Sequence, residues 1–158
     1  MEELRALSHT GAVRLETDRL ILRATSISDA EQMYNNWASD PEVAKYLSWA
    51  PHTDIETTKN ILAEWDKKNE SLDYYHWGIV LKETDEIIGA GGTIRISERH
   101  QSADLGYCIG RAYWGRGYMS EAVDVIIKHL FNVVGFNRIA AYHDPDNAAS
   151  GRVMQNAA

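Results

Sequence analysis

The chain has 158 residues, 44% hydrophobic and 25% charged, with a formal net charge of −7, the profile of an ordinary globular domain with a real core. The acidic balance argues against nucleic acid as a main partner, since a phosphate backbone needs a basic face, while a basic amine would be attracted. The only cysteine, Cys108, excludes an internal disulfide, and without a membrane-length apolar run or a signal-peptide core the expected location is cytoplasmic.

Residues 1–13 read as a loose extension and 14–158 as a single domain. Leu20-Ile21-Leu22-Arg23 is a short strand. Ser28 caps a helix carrying Met33, Tyr34 and Trp37 on one face, and Pro41 stops it. Thr53-Asp54-Ile55-Glu56 reads as a capping box. The helix it opens runs to about Asn69, with Ile55, Ile61, Leu62 and Trp65 as burial candidates. Residues 76–82 alternate as a strand, 83–86 turn, and 87–96 return. Gly89, Gly91 and Gly92 predict a bulge or a close backbone approach there. A third strand covers 103–109, and Cys108 on it reads as a small buried residue. Ala122, Val123, Ile126, Ile127 and Leu130 recur at helical spacing, and Gly135 caps that helix. Another strand runs from Arg138 to Tyr142, and Asp144-Pro145-Asp146-Asn147 caps a final short helix. The fold class is α/β (α+β): a mixed, mostly antiparallel sheet flanked by helices, with one right-handed parallel crossover between 103 and 142.

The segment from Arg111 to Ala122, RAYWGRGYMSEA, is the most informative. A strand leads into a turn bearing Gly115 and Gly117, and the turn opens a helix. Glycines let backbone N–H groups approach a ligand. The helix start adds unpaired donors and the positive end of a dipole. Together they predict an anion site, most naturally for phosphates. The Walker pattern would need Lys-Ser/Thr after the second glycine, but Tyr118-Met119 follows. The dinucleotide pattern would need glycine at Ser120. Both nucleotide readings weaken.

This loop resembles the acetyl-coenzyme A pyrophosphate loop of the GCN5-related N-acetyltransferases (GNAT), in the W-G-x-G-Y-x-x-E-A form of the ribosomal-protein N-terminal acetyltransferase branch. The family's Gln/Arg position is Ala112, with the basic residue one place earlier at Arg111. A second stretch, Asp146-Asn147-Ala148-Ala149-Ser150-Gly151-Arg152-Val153-Met154, resembles the N-x-A-S-x-R-V-[LM] signature. Residues 16–23 look like the family's opening strand and 103–107 like its fourth strand, with Asp104 where Glu is commoner.

The resemblance implies acetyl-coenzyme A as co-substrate and a primary amine, protein N-terminus or small molecule, as acceptor. It implies cofactor contacts from Tyr107, Cys108 and Ile109, whose backbone takes the pantetheine arm like an added strand. It implies further contacts from Arg111, Trp114, Gly115, Arg116, Gly117, Tyr118, Met119, Ser120 and Asn147. The attacking amine must lose a proton, since a lysine-type ammonium has pKa about 10.4, and Asp104 is the candidate base. Ser150 is the candidate acid for the leaving thiolate, because Met154 stands where many relatives carry Tyr. Asn147 is placed on the pantetheine arm and also serves as a helix cap.

The six histidines, at 9, 52, 76, 100, 129 and 143, have no metal-ligand spacing, so no metal is expected. His76 and the aromatics Trp37, Tyr46, Trp49 and Trp65 are weighed as acceptor-facing, with core packing as the alternative. The family continues with two more strands beyond its fourth helix, whereas this sequence stops at Ala158. The last two strands are therefore expected to be missing. The strand from Arg138 to Tyr142 would then be an open edge, predicting a homodimer across it. It also leaves open a non-catalytic acyl-coenzyme A-binding module as the alternative function.

Overall fold

The computed structural model describes residues 6–45 and 50–141. Six strands form one sheet in chain order: β1 (Leu15–Glu16), β2 (Leu20–Arg23), β3 (His76–Leu81), β4 (Glu86–Ser97), β5 (Ser102–Ile109) and β6 (Arg138–Ala141). Every neighbouring pair is antiparallel except β5–β6, which is parallel. The parallel step needs a crossover, supplied by α4 (Tyr118–His129). The first helical region is broken into a 3-10 turn at Ile27–Asp29, α1 (Ala30–Met33), a π-helical turn at Tyr34–Ala38 and α2 (Pro41–Ala44). The helix α3 follows at Ile55–Lys68.

Two cap expectations shift. The first helical region starts at Ser26, not Ser28, with Asp29 closing the capping box. In α3 the cap is Asp54 rather than Thr53, because the Asp54 carboxylate accepts from the Thr57 N–H at 2.9 Å. Pro41 does follow the end of the preceding helical turn, but it also opens α2 at its first position, where its missing N–H costs nothing. Gly135 adopts φ 101° after the π-helical turn Leu130–Val134 and ends that helix as expected.

The extension also differs. Residues 8–13 are bonded to the body: the Ser8 N–H donates to the Val134 carbonyl, Gly11 to Leu72, and the Trp77 indole N–H to the Val13 carbonyl. The His9 ring bonds the Tyr75 hydroxyl, and Thr10 Oγ1 bonds Nε2 of the buried His129. A polar and glycine-bearing segment carries no periodicity, so its fixed course is set by these tertiary partners.

The sheet buries both faces. Against α4 lie Leu20, Leu22, Trp77, Ile79, Leu105 and Ile109, meeting Met119, Ala122, Val123, Ile126 and Leu130. On the opposite face Val80, Ile87 and Ala90 pack against Ala30, Met33, Trp37 and Leu62. Trp37 is thus core. Full burial of each such side chain stabilises by about 1.5–3 kcal/mol. Packing, rather than intrinsic propensity, therefore holds the short helices. The glycines of β4 mark close approach, as expected. A Cβ on Gly89 would lie 2.4 Å from the Cys108 carbonyl oxygen, and one on Gly92 only 1.9 Å from that of Tyr75. The ladder slips between Thr93 and Arg95, leaving Ile94 bulged and exposed.

Candidate active site

Strand alternation sorts the residues of β5 by face. Ala103, Leu105, Tyr107 and Ile109 belong to the α4 side, whereas Cys108 packs on the α1–α3 side. Asp104 and Gly106 share its parity, so the candidate base and the thiol lie on the face away from α4. Asp104 is about 10 Å up the strand from Tyr107 at the strand rise. It is paired at 3.9 Å with the largely exposed Arg95. With Ser102, Ala103, Arg138 and Ala140 it lines a cleft of about 240 Å³ across β5 and β6. Pairing with β6 covers residues 102–105 of β5. Among the described residues, 106–109 pair with β4 alone.

From Ile109 the chain turns through a 3-10 turn, Arg111–Tyr113, and a loop at 114–117 into α4. Gly115 and Gly117 hold φ 76° and 80°, the left-handed region that favours glycine. A Cβ on Gly115 would meet nothing within 4 Å, so this turn is open on its outer side. No side chain caps α4. The first intrahelical donor is the Glu121 N–H, 3.1 Å from the Gly117 carbonyl. The N–H groups of Tyr118, Met119 and Ser120 lie in the unpaired first turn, at the positive end of the helix dipole. The side chains of Tyr118 and Met119 are buried in the core. These two residues therefore offer an anion their backbone N–H groups and not their side chains.

The loop is held from both ends. At its entry Gly110 passes close to the π-helical turn, where a Cβ would sit 2.6 Å from the Asn36 carbonyl oxygen. Asn36 Nδ2 donates to Glu86 Oε1 and to the Ile87 carbonyl, and the Tyr113 hydroxyl donates to Glu86 Oε2 at 3.1 Å. At its exit Glu121 turns back from the first turn of α4. It accepts from Arg19 Nε at 2.9 Å, from the Arg19 N–H at 3.1 Å and from the Thr17 hydroxyl. Partial burial alone would raise the Glu121 carboxyl, but the bonds from Thr17 and Arg19 outweigh it and hold the group below the usual carboxylate range.

The expected site residues divide clearly. Those from Arg111 to Ser120 form one continuous turn directly beyond Tyr107, Cys108 and Ile109. Arg111, however, is ion-paired with Asp40 at 3.1 Å, so part of its charge is already compensated. The Arg116 side chain is exposed in the loop. Trp114 is 40% exposed, and its indole N–H donates to the Ile109 carbonyl at 3.0 Å, closing the turn from outside. Asn147 and Ser150 lie outside the described residues, as do Tyr46, Trp49, the final helix and the expected loss of the last two strands. His76 stacks against Trp65 with ring centroids 4.0 Å apart. Burial, aided by Lys68, depresses the imidazole to about 4, so it is neutral at physiological pH. Among the described residues no group of three potential metal ligands occurs, and no helix is long and apolar enough to cross a membrane.

Sequence reasoning missed Thr17, Arg19, Asn36, Asp40 and Glu121. Glu121 was visible inside the glycine-loop motif and Arg19 inside the opening strand, but their pairing spans 102 positions. No local periodicity signals a contact at that separation.

A family model described as an acetyltransferase (GNAT) domain matches residues 19–157. An N-acetyltransferase of Bacillus licheniformis termed p20, itself uncharacterized, is 35% identical over 90% of this chain and 79% of its own length. The [ribosomal protein uS5]-alanine N-acetyltransferase of Escherichia coli is 26% identical over 93% of this chain and 78% of its own. The crystal structure of a GNAT-family acetyltransferase from Bacillus anthracis superposes with a TM-score of 0.78 at 25% identity, covering 92% of this chain and 82% of the other.

The structure also bears on Cys108 as a nucleophile. Cys108 is half-buried rather than the fully buried residue expected, packed against the α1–α3 cluster; desolvation there pushes its thiol up to about 12, whereas a reactive cysteine needs a populated thiolate. We expect iodoacetamide at pH 8 to alkylate the native protein more than about a hundredfold more slowly than the urea-unfolded chain, given an ordinary thiol pKa of about 8.5. Equal rates would show an open, nucleophilic thiol.

Proposed function

Because the chain belongs to the acetyltransferase (GNAT) family, we propose that it transfers an acetyl group from acetyl-coenzyme A to a primary amine by direct attack in a ternary complex. The acceptor is a protein N-terminus or a small-molecule amine. The observation that carries this reading is the open loop at 114–117, where two left-handed glycines lead into an uncapped helix start. A polyanion can be held there by N–H groups in a protein whose net charge is −7.

Acetyl-coenzyme A, when bound, supplies an activated thioester. The N–H groups of Tyr118, Met119 and Ser120, with the Arg116 side chain, hold its pyrophosphate in this reading. Residues 107–109 of β5 offer backbone to the pantetheine arm in the manner of an added strand, with Asn147 bonding the same arm. Asp104 takes the proton that the acceptor ammonium must lose before its nitrogen has a lone pair. Its position in a polar cleft across β5 and β6 supports that role. Ser150 Oγ gives a proton to the departing sulfur. The acidic surface favours a cationic acceptor. The 26% identity to a ribosomal-protein alanine N-acetyltransferase supports a protein N-terminus as one acceptor class.

We also propose that two copies associate along β6. Among its described residues this strand pairs with β5 alone and leaves Ile139, Ala140 and Ala141 only partly covered, the kind of edge that recruits another strand.

Titration calorimetry with acetyl-coenzyme A is the direct test. Micromolar binding is expected, and Gly117→Trp should abolish it by forcing a bulky side chain into a left-handed position, φ 80°, against Arg19 Nη2, which distorts the loop. No binding by folded wild-type protein would end this reading. With a panel of peptide N-termini and small amines, Asp104→Asn should lower kcat by about 10²–10⁴-fold, the usual range for general base catalysis. Ser150→Ala should act in the same direction, and an unchanged kcat in either variant would remove that residue from the chemistry. In sedimentation velocity a dimer is expected that Ile139→Lys converts to monomer; a wild-type monomer at all concentrations would refute β6 pairing.

A further inference from the structure

The first turn of α4 poses a problem for any anion site. Glu121 puts a carboxylate there, which suits the helix dipole but opposes a bound phosphate. Its charge is met by Arg19, at the start of β2. The guanidinium makes three separate contacts. Nε donates to Glu121 Oε1 at 2.9 Å, Nη1 donates to the Arg116 carbonyl at 3.0 Å, and the group lies 4.4 Å over the Tyr118 ring. Nη2 lies 3.4 Å from the point a Cβ on Gly117 would occupy. One cation therefore touches the loop before and after its second glycine.

The Arg116 carbonyl is the second point. In a loop that binds anions through N–H groups, an outward carbonyl would present negative charge to the ligand. The bond to Arg19 engages this oxygen on the side of β2. Arg19 in turn is oriented by Glu121, which accepts both its Nε–H and its backbone N–H. A planar fork serves the carboxylate and the carbonyl together from two separate nitrogens in fixed geometry, which the single ammonium nitrogen of a lysine does not reproduce.

We infer that Arg19, oriented by Glu121, is a positioning residue for the phosphate loop: it holds the Arg116 carbonyl back and cancels the Glu121 charge, so that the loop shows its N–H groups to the pyrophosphate of coenzyme A. This rests on the acetyl-coenzyme A reading of the same loop.

The test is calorimetric affinity for coenzyme A in the full chain, with pantetheine, which carries the arm without the phosphates, followed by NMR titration as the control. Arg19→Gln is expected to weaken coenzyme A by about tenfold or more, the loss of a hydrogen bond between charged groups, while pantetheine affinity stays unchanged. Arg19→Lys should recover only part of the loss. Coenzyme A binding at wild-type strength in folded Arg19→Gln would overturn the inference, as would an equal loss for both ligands. If Arg19→Gln does not fold, Arg19→Lys decides by the same criterion. A folded wild-type protein that binds no coenzyme A would instead overturn the parent reading, and this inference with it.

Discussion

The packing of α4 onto the sheet is the constraint on which the rest depends. Its apolar stripe, with Met119, Ala122, Val123 and Ile126 buried, lies on the face built by β2, β3 and β5. A helix of this length is marginal on its own in water, so the contact both forms it and aims it. Once the stripe is seated, the amino end of α4 can point only toward the end of β5, where residues 107–109 run into the loop. The helix end proposed to bind the anion and the strand proposed to carry the pantetheine arm are therefore brought together by one hydrophobic interface.

Around that interface the loop is secured by polar contacts from both directions. Asn36, Glu86 and Asp40 hold its entry, and Thr17, Arg19 and Glu121 hold its exit. None of these residues belongs to the glycine pattern itself apart from Glu121. Their shared effect is to remove conformational freedom from a glycine-bearing segment, which would otherwise lose the most entropy on ordering around a ligand. In the proposed reading a protein with a net charge of −7 holds a polyanion by local attraction, made of N–H dipoles and a few arginines.

The N-acetyltransferase family, the mixed sheet, its single parallel step and the glycine loop were all legible in the chain. Periodicity at 122–130 reports which face of α4 is buried, and a helix start behind two glycines has few physical uses; the alternation read at 76–82 did not single out one face, because β3 is covered on both sides and Trp77 to Leu81 are all buried. The close approach at Gly89 and Gly92 was legible too, because glycine in a strand is costly unless another backbone needs the space. Less legible were the caps at Ser26 and Asp54. Each lies beside another residue with capping chemistry, and tertiary packing selects between them. The broken first helix was not legible, since its π-helical turn departs from the 3.6 period without a glycine or proline inside it.

The division follows from the range of the forces involved. Segment type, the glycine turn that opens α4 and the family resemblance are carried by residues within a few positions of one another, so the amino-acid sequence alone determined them. The tertiary structure alone decided that residues 8–13 are fastened to the body through Ser8, Gly11, Val13 and Thr10. It alone decided that Arg111 is shared with Asp40, that burial removes Cys108 and His76 from ordinary thiol and imidazole chemistry, and that Arg19 meets Glu121. Each of these depends on which side chains the folded chain brings within about 4 Å, and on how far it excludes water there. A linear sequence specifies such proximities only through the fold as a whole.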